Sequence, residues 1–313
     1  MTIADRLAGA PRIGLGLAAV GRPGYLTLGR DADLPPERSV EAMRARAHEL
    51  LDAAYASGVR YFDVARSYGR AEEFLSTWLG NRQDVVVGSK WGYTYTAGWR
   101  VDADVHEVKD HGVATFERQL AETRTLLGGH LDLYQIHSLT PESPALTDPE
   151  LHARLADLAA EGVTVGFSTS GPAQAATIRA ALDIRVGGRP LFRSVQATWN
   201  LLEPSAAPAL SEAHAQGCFV IVKEALANGR LAAAPEPVAG LGPAGGPVPG
   251  DAVALAAALA QPWVSVVLSG AATTAQLASN LRAERSSVDP ARWAGLAMPS
   301  ARYWQERSNL PWR

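Results

Sequence analysis

The sequence predicts a single-domain (β/α)8 (TIM) barrel across residues 1–313, and three observations carry that expectation. Eight apolar runs of strand length recur along the chain, amphipathic helical patterns lie between them, and no shift in composition marks a domain boundary.

The elements follow in order. RIGLG (12–16) opens the series. Val40 to Ser57 then places Met43, Ala47, Leu50, Leu51 and Ala54 on one face, with Ser39 as N-cap and Gly58 just past the end. VRYFDVA (59–65) and DVVVGSK (84–90) are the second and third strands. The stretch 113–127 reads as a helix through Phe116, Leu120, Thr123 and Leu127. Strand LDLYQIH (131–137) precedes a helix over 150–160, and VTVGFST (163–169) one over 172–182. SVQATWN (194–200) leads to 206–216, FVIVKEA (219–225) to 251–260, and VSVVLSG (264–270) to 274–283. Pro235 to Gly250, rich in Pro and Gly, is expected to be a mobile loop on the active face, and 288–313 a tail over that same C-terminal face.

Composition narrows the function classes. A chain 47% hydrophobic and 19% charged has ample material for a core. Its net charge of −3 gives no basic footprint for nucleic acid and no polybasic membrane patch. No apolar stretch reaches membrane-spanning length and MTIADRLAGAPR has no signal-peptide core, so a cytoplasmic location is expected. Cys218, the single cysteine, permits no internal disulfide and reads as a buried structural thiol. His48 and Glu49 lack the second histidine of HExxH, so no metal site is expected.

The chemistry-bearing residues gather at strand ends. Asp63 closes VRYFD, Lys90 closes DVVVGSK, His137 closes LDLYQIH, and Tyr68 follows Asp63 by five residues. Strand C-terminal ends are where such barrels place catalysis. The chain has three lysines among its 29 basic residues, yet two of them, Lys90 and Lys223, end strand-like runs. Lysine, unlike arginine, can sit buried beside a phenol and change its acidity. Singly, Asp63 reads as a turn residue, Tyr68 as packing and His137 as a satisfied core histidine; together, at matching barrel positions, they read as a site. A competing motif, Gly14-x-Gly16-x-x-Ala19, matches a dinucleotide fingerprint, but Gly21-Arg22-Pro23-Gly24 follows and cannot start the helix that motif needs.

The words AYASGVRYFDVARSYGRAEEFL, VVVGSKWG, LDLYQIHS, VGFSTSG, VQATWNLL, KEALANGRL and SGAATTAQLASNL, in this order on eight βα units, resemble the aldo-keto reductase family over nearly the whole chain. The resemblance implies an enzyme: an NAD(P)H-dependent carbonyl reductase or alcohol dehydrogenase that holds its cofactor without a Rossmann domain. It also implies a catalytic tetrad of Asp63, Tyr68, Lys90 and His137. In those roles Tyr68 protonates the new alkoxide, Lys90 lowers the phenol's pKa, Asp63 orients Lys90, and His137 sets the angle of the substrate oxygen. Two unit charges about 4 Å apart interact by roughly 4 kcal/mol at an effective dielectric of 20, or about three pKa units, which would bring Tyr68 near neutrality. Other classes stay open: a cofactor-sensing regulatory subunit, or a biosynthetic enzyme using the barrel for dehydration or isomerisation with Lys223 recruited.

Cofactor contacts follow from the same resemblance. Ser168 and Gln196 match positions that hold the nicotinamide carboxamide, with Thr169 where Asn is usual. Lys223 falls where an aromatic ring commonly stacks on nicotinamide; a cation there would favour the uncharged reduced ring, or Lys223 pairs with Glu224 and leaves another side chain, such as Trp199, to cover the ring. Ala225, Leu226 and Arg230 continue that wall. Ser269, Gly270, Ala271, Thr274, Gln276 and Asn280 match the stretch holding the adenosine phosphate end. Gly270 and Gln276 stand where Lys or Arg is frequent, leaving Arg230 or Arg282 to supply charge. NADP(H) is the expected cofactor, with NAD(H) as the alternative. The partner is a small-molecule carbonyl compound. Trp91 and Trp99, with Tyr93 and Tyr95, are expected to wall an apolar substrate pocket, and Trp293, Tyr303, Trp304 and Trp312 in the tail to add to it. Arg66 is the one cation expected near the tetrad.

Overall fold

The computed structural model describes residues 1–25, 32–232, 240–241, 247–286 and 288–311. Eight parallel strands close into a barrel in which each strand pairs with its sequence neighbours and the last pairs with the first. They are β1 (Ile13–Gly16), β2 (Tyr61–Asp63), β3 (Val86–Trp91), β4 (Leu131–Leu139), β5 (Thr164–Thr169), β6 (Ser194–Thr198), β7 (Phe219–Lys223) and β8 (Val266–Ser269). A helix follows each: α1 (Val40–Ala56), α2 (Ala71–Leu79), α3 (Val113–Leu127), α4 (Pro149–Ala160), α5 (Gln174–Leu182), α6 (Ala207–Ala215), α7 (Gly250–Leu259) and α8 (Thr274–Leu281). A ninth, α9 (Ser300–Ser308), lies in the expected tail. Among the described residues no helix is long and apolar enough to cross a membrane.

Local chemistry explains the helix starts. Ser39 caps α1 by accepting from the Ala42 N–H at 3.2 Å, and α1 buries the five residues its sequence period predicts. Asp148 caps α4, with Pro149 in its first turn. Helix α2 is absent from the sequence reading. Arg70 precedes it without a side-chain cap, so nothing polar announces its start, although Ala71, Phe74, Leu75, Trp78 and Leu79 are buried.

Strand periodicity then sorts the side chains. Successive residues point to opposite faces, so the inward rows are Tyr61 and Asp63; Val86, Gly88 and Lys90; Leu133, Gln135 and His137. Tyr61, Val86, Leu133, Phe219, Ile221 and Val266 pack together inside the barrel, closed below by Ile3 of the short helix Ile3–Arg6. The alternate residues, among them Phe62, Val87, Ile136, Phe167, Val195 and Val222, pack outward under the helices. Burying such side chains contributes roughly 1.5–3 kcal/mol each. Gly88 is required in this layer because a Cβ there would meet the Tyr61 hydroxyl at 2.5 Å. The lower barrel is thus filled by packing, and the topmost inward positions of β2, β3, β4 and β7 carry Asp63, Lys90, His137 and Lys223.

Of the expected loop Pro235–Gly250, Gly240–Leu241 pairs antiparallel with Pro247–Val248; the rest before Pro249, like Trp312, lies outside the described residues. A second hairpin, Tyr93–Tyr95 with Glu107–Lys109, stands at the end of β3.

Candidate active site

The last inward residues of the strands converge on one cavity of about 540 Å³ at the C-terminal mouth. Asp63, Tyr68, His137, Gln196 and Lys223 line one part of it, and Ser269, Gly270, Ala271, Gln276 and Asn280 another. Lys90 is fully buried just behind. Its ammonium pairs with Asp63 Oδ1 and donates to the Val64 carbonyl at 3.0 Å. Asp63 Oδ2 accepts from Gln196 Nε2 at 2.9 Å and from the Tyr61 hydroxyl at 3.4 Å.

Tyr68 sits between the charged pair and the histidine. Lys90 Nζ lies 4.9 Å from the centre of its ring, and its ring meets His137 edge-on, with centroids 5.4 Å apart. Burial pushes the phenol well above its ordinary pKa, with Tyr25 and Asp63 adding and Arg22 opposing. The expected lowering of Tyr68 toward neutrality is therefore not found. Asp63 captures the Lys90 charge, and desolvation dominates what remains. Burial also lowers Lys90 itself, against the pull of Asp63.

His137 is neutral for the same reason. Burial, then the Lys90 and Lys223 charges, hold it well below the ordinary histidine value. Its main chain is fixed on both sides of one peptide unit: the His137 oxygen accepts from His111 Nε2 at 2.9 Å, and the Ser138 N–H donates to Ser168 Oγ at 2.8 Å. Ser138 has φ +57°, and the register of β4 against β5 shifts between Ile136 and Leu139. Strand alternation already turns His137 inward, and the irregularity lies where β4 ends.

The family model described as "Aldo/keto reductase family" matches residues 12–241. The chain belongs to the aldo/keto reductase family. Aldo-keto reductase str7 of Strobilurus tenacellus is 33% identical over 99 residues; the match spans 31% of this chain and 26% of that relative's own length. Among solved structures, aldo-keto reductase AKR11C1 from Bacillus halodurans (holo form) superposes with a TM-score of 0.65 at 21% identity, covering 95% of this chain and 91% of that one. An aldo-keto reductase from Klebsiella pneumoniae in complex with NADPH gives 0.63 at 20% identity, covering 92% and 90%.

As a member of the aldo/keto reductase family, the chain can be compared residue by residue with its sequence-based expectations. Ala225 and Leu226 line the cavity as expected. Ser168 is buried beneath it and already accepts from Ser138. Thr169 turns to Gln174 Oε1 at 3.4 Å. Thr274 opens α8 but does not line the cavity, whose wall there is Gly270 to Ala272 and Gln276. Asn280 sits 2.8 Å from Ser269 Oγ and braces that turn. Arg230 is drawn off to Glu306 at 3.2 Å and lies over the Tyr303 ring.

Expectations about the walls differ from the structure at several residues, and Tyr95, Trp293, Tyr303 and Trp304 do not line the cavity. Trp91 is fully buried against Phe116 and His111, because it ends β3 on the outward face. Trp99 packs edge-on to Phe74 and donates to the Arg38 carbonyl at 2.8 Å. Neither lines the cavity. Trp199 meets Trp263 rather than a ligand space. Arg66 faces Glu72 and Glu122, away from the tetrad.

Among the described residues, the cations that do line the cavity are Arg22, Lys223 and Arg307. Buried Arg22 donates to Glu107 at 2.8 Å and to the Ser67 carbonyl at 2.9 Å. Arg307 of α9 reaches Glu224, its Nε lying 3.0 Å from both carboxylate oxygens. Although burial opposes it, the Arg307 and Lys223 charges hold Glu224 down at about 2. Sequence reasoning missed Arg22, Glu107 and Arg307. They come from a loop, a hairpin and the tail, where no strand period flags them.

These residues fit a nicotinamide dinucleotide. Gln196 offers an amide beside the tetrad. At the other end Gly270, where a Cβ would meet nothing within 4 Å, opens the approach to the first turn of α8. Backbone N–H groups at such a turn favour phosphate oxygens.

Proposed function

We propose that the protein interconverts an aldehyde or ketone with its alcohol using NADP(H), with Tyr68 as the proton donor in reduction. The observation that carries this reading is the meeting of Tyr68 and His137 in one cavity above the buried Lys90–Asp63 pair.

When bound, the cofactor supplies hydride to the carbonyl carbon. The chain's own residues handle the charge that then appears on oxygen. Tyr68 is protonated at neutral pH and can deliver that proton. A Ser67 hydroxyl donating to His137 Nδ1, 3.3 Å away, leaves the ring hydrogen on Nε2 to bond the same oxygen. Lys90 and Asp63, out of water, keep a fixed dipole behind the ring.

The substrate side favours a hydroxylated carbonyl compound over an apolar ring. Arg22, Tyr93, Glu107, Glu224 and Arg307 offer donors and acceptors there, and the two tryptophans expected to wall it lie elsewhere. The NADPH carried by the Klebsiella relative supports the phosphorylated cofactor. One observation favours NAD(H) instead: Gln276, expected at the adenosine end, donates to Asp33 Oδ2 at 2.8 Å, and a carboxylate there suits a ribose hydroxyl better than a phosphate. Calorimetric titration with NADPH and NADH tests both readings. Saturable binding of NADPH ahead of NADH supports the first, the reverse order supports the second, and no binding of either removes the catalytic reading.

A further inference from the structure

Among the described residues, the β7 wall of the cavity carries a cation that has no carboxylate to itself. Around the tetrad, Lys90 is matched by Asp63, Arg22 by Glu107, and Arg307 by Glu224. Lys223 shares Glu224 with Arg307. Its Nζ donates to Thr198 Oγ1 at 2.9 Å and lies 3.8 Å from Glu224 Oε1, an oxygen already held by Arg307. The Lys223 side chain is 16% exposed and lines the cavity next to Gln196 and Asp63.

Placement makes that charge consequential. A dinucleotide whose phosphates lie at the first turn of α8 must extend its nicotinamide toward Tyr68 and His137 to react. Lys223, at the end of β7, lines the same cavity as both regions. Trp199, the expected aromatic cover, packs against Trp263 instead.

We propose that Lys223 makes the site select the reduced cofactor, its ammonium disfavouring the positively charged oxidised ring and tolerating the uncharged reduced one. The inference rests on the cofactor reading above. Both redox forms carry the same phosphates and ribose groups, so their affinity ratio isolates the ring's charge. Burial lowers Lys223 to about 8, so the ammonium form predominates at neutral pH. One unit charge several ångströms away in a partly desolvated site changes that ratio by about tenfold or more.

Calorimetric titration of the wild-type chain, Lys223→Met and Lys223→Arg with each reduced and oxidised pair, near neutral pH, decides the matter. The wild type is expected to bind the reduced form more tightly. Lys223→Met should shrink the oxidised-to-reduced Kd ratio about tenfold, and Lys223→Arg should keep it. Lys223→Gln, which retains a donor for Thr198, serves the same comparison should the methionine variant fail to fold. A ratio unchanged in Lys223→Met or Lys223→Gln overturns the inference and leaves the cofactor reading standing. Failure of the wild type to bind either form removes the cofactor reading, and this inference with it.

Discussion

His111 Nε2 donates to the main-chain oxygen of His137 at 2.9 Å, while His111 Nδ1 faces the Ser143 hydroxyl at 2.6 Å. One buried, neutral imidazole therefore ties the segment before α4 to the residue expected to orient the substrate. His111→Phe keeps the ring that packs against Trp91 but leaves two buried polar groups without this partner. It should destabilise the protein by about 1–3 kcal/mol, read as a lower urea midpoint. Turnover should fall more than cofactor affinity does, because the loss acts through His137.

The same residue sets an acid limit. Burial holds His111 at about 4 against an ordinary 6.5, so between those values the unfolded chain binds a proton that the folded chain refuses. Stability is then lost as pH falls from about 6.5 to 4, by about 3 kcal/mol in total. Urea midpoints measured across that window should drop, and His111→Phe should flatten the slope.

Tyr68 stays protonated well beyond neutrality. Single-turnover carbonyl reduction should therefore hold its rate from about pH 6 to pH 9. A descending limb near pH 7 would instead mean that bound cofactor lets Lys90 act on the phenol. Tyr68→Phe should cut reduction by about 100-fold or more with cofactor Kd changed less than about twofold.

Arg307→Met would strip Glu224, which is buried and set at φ +56°, of its two-oxygen partner, leaving Thr198 Oγ1 at 3.2 Å and Lys223 Nζ at 3.8 Å on its carboxylate. A cost of about 3 kcal/mol is expected, since breaking one side of a buried pair exposes the other to its desolvation penalty. Adding Glu224→Gln should recover part of that loss, and a double-mutant cycle in urea measures how much.

The barrel was legible because its strands alternate strictly: RIGLG, VRYFD and FVIVK carry their inward residues at every second position, and the observed β1, β2 and β7 fall within them. Asp63, Lys90 and His137 were legible because each ends such a run. Helix α2 was not, since Arg70 gives no capping signal. Trp91 was misplaced by the same alternation that placed Lys90: adjacent residues on a strand face opposite ways, so a neighbour of an inward lysine packs outward. The acidity of Tyr68 was unreadable for a different reason. A sequence shows that a lysine and an aspartate are near a phenol, but not that the aspartate captures the ammonium and leaves burial to decide.

The Arg307–Glu224 clasp also gives the molecule an optical indicator of its own. The guanidinium that lines the cavity lies 5.3 Å from the centre of the Trp304 ring, on the next-but-two residue of the same helix. Any ligand that draws Arg307 toward itself changes the charge above that indole, and with it the colour and intensity of its emission. Occupancy of the cavity is thereby reported from the buried face of α9, by a residue that need never touch the ligand.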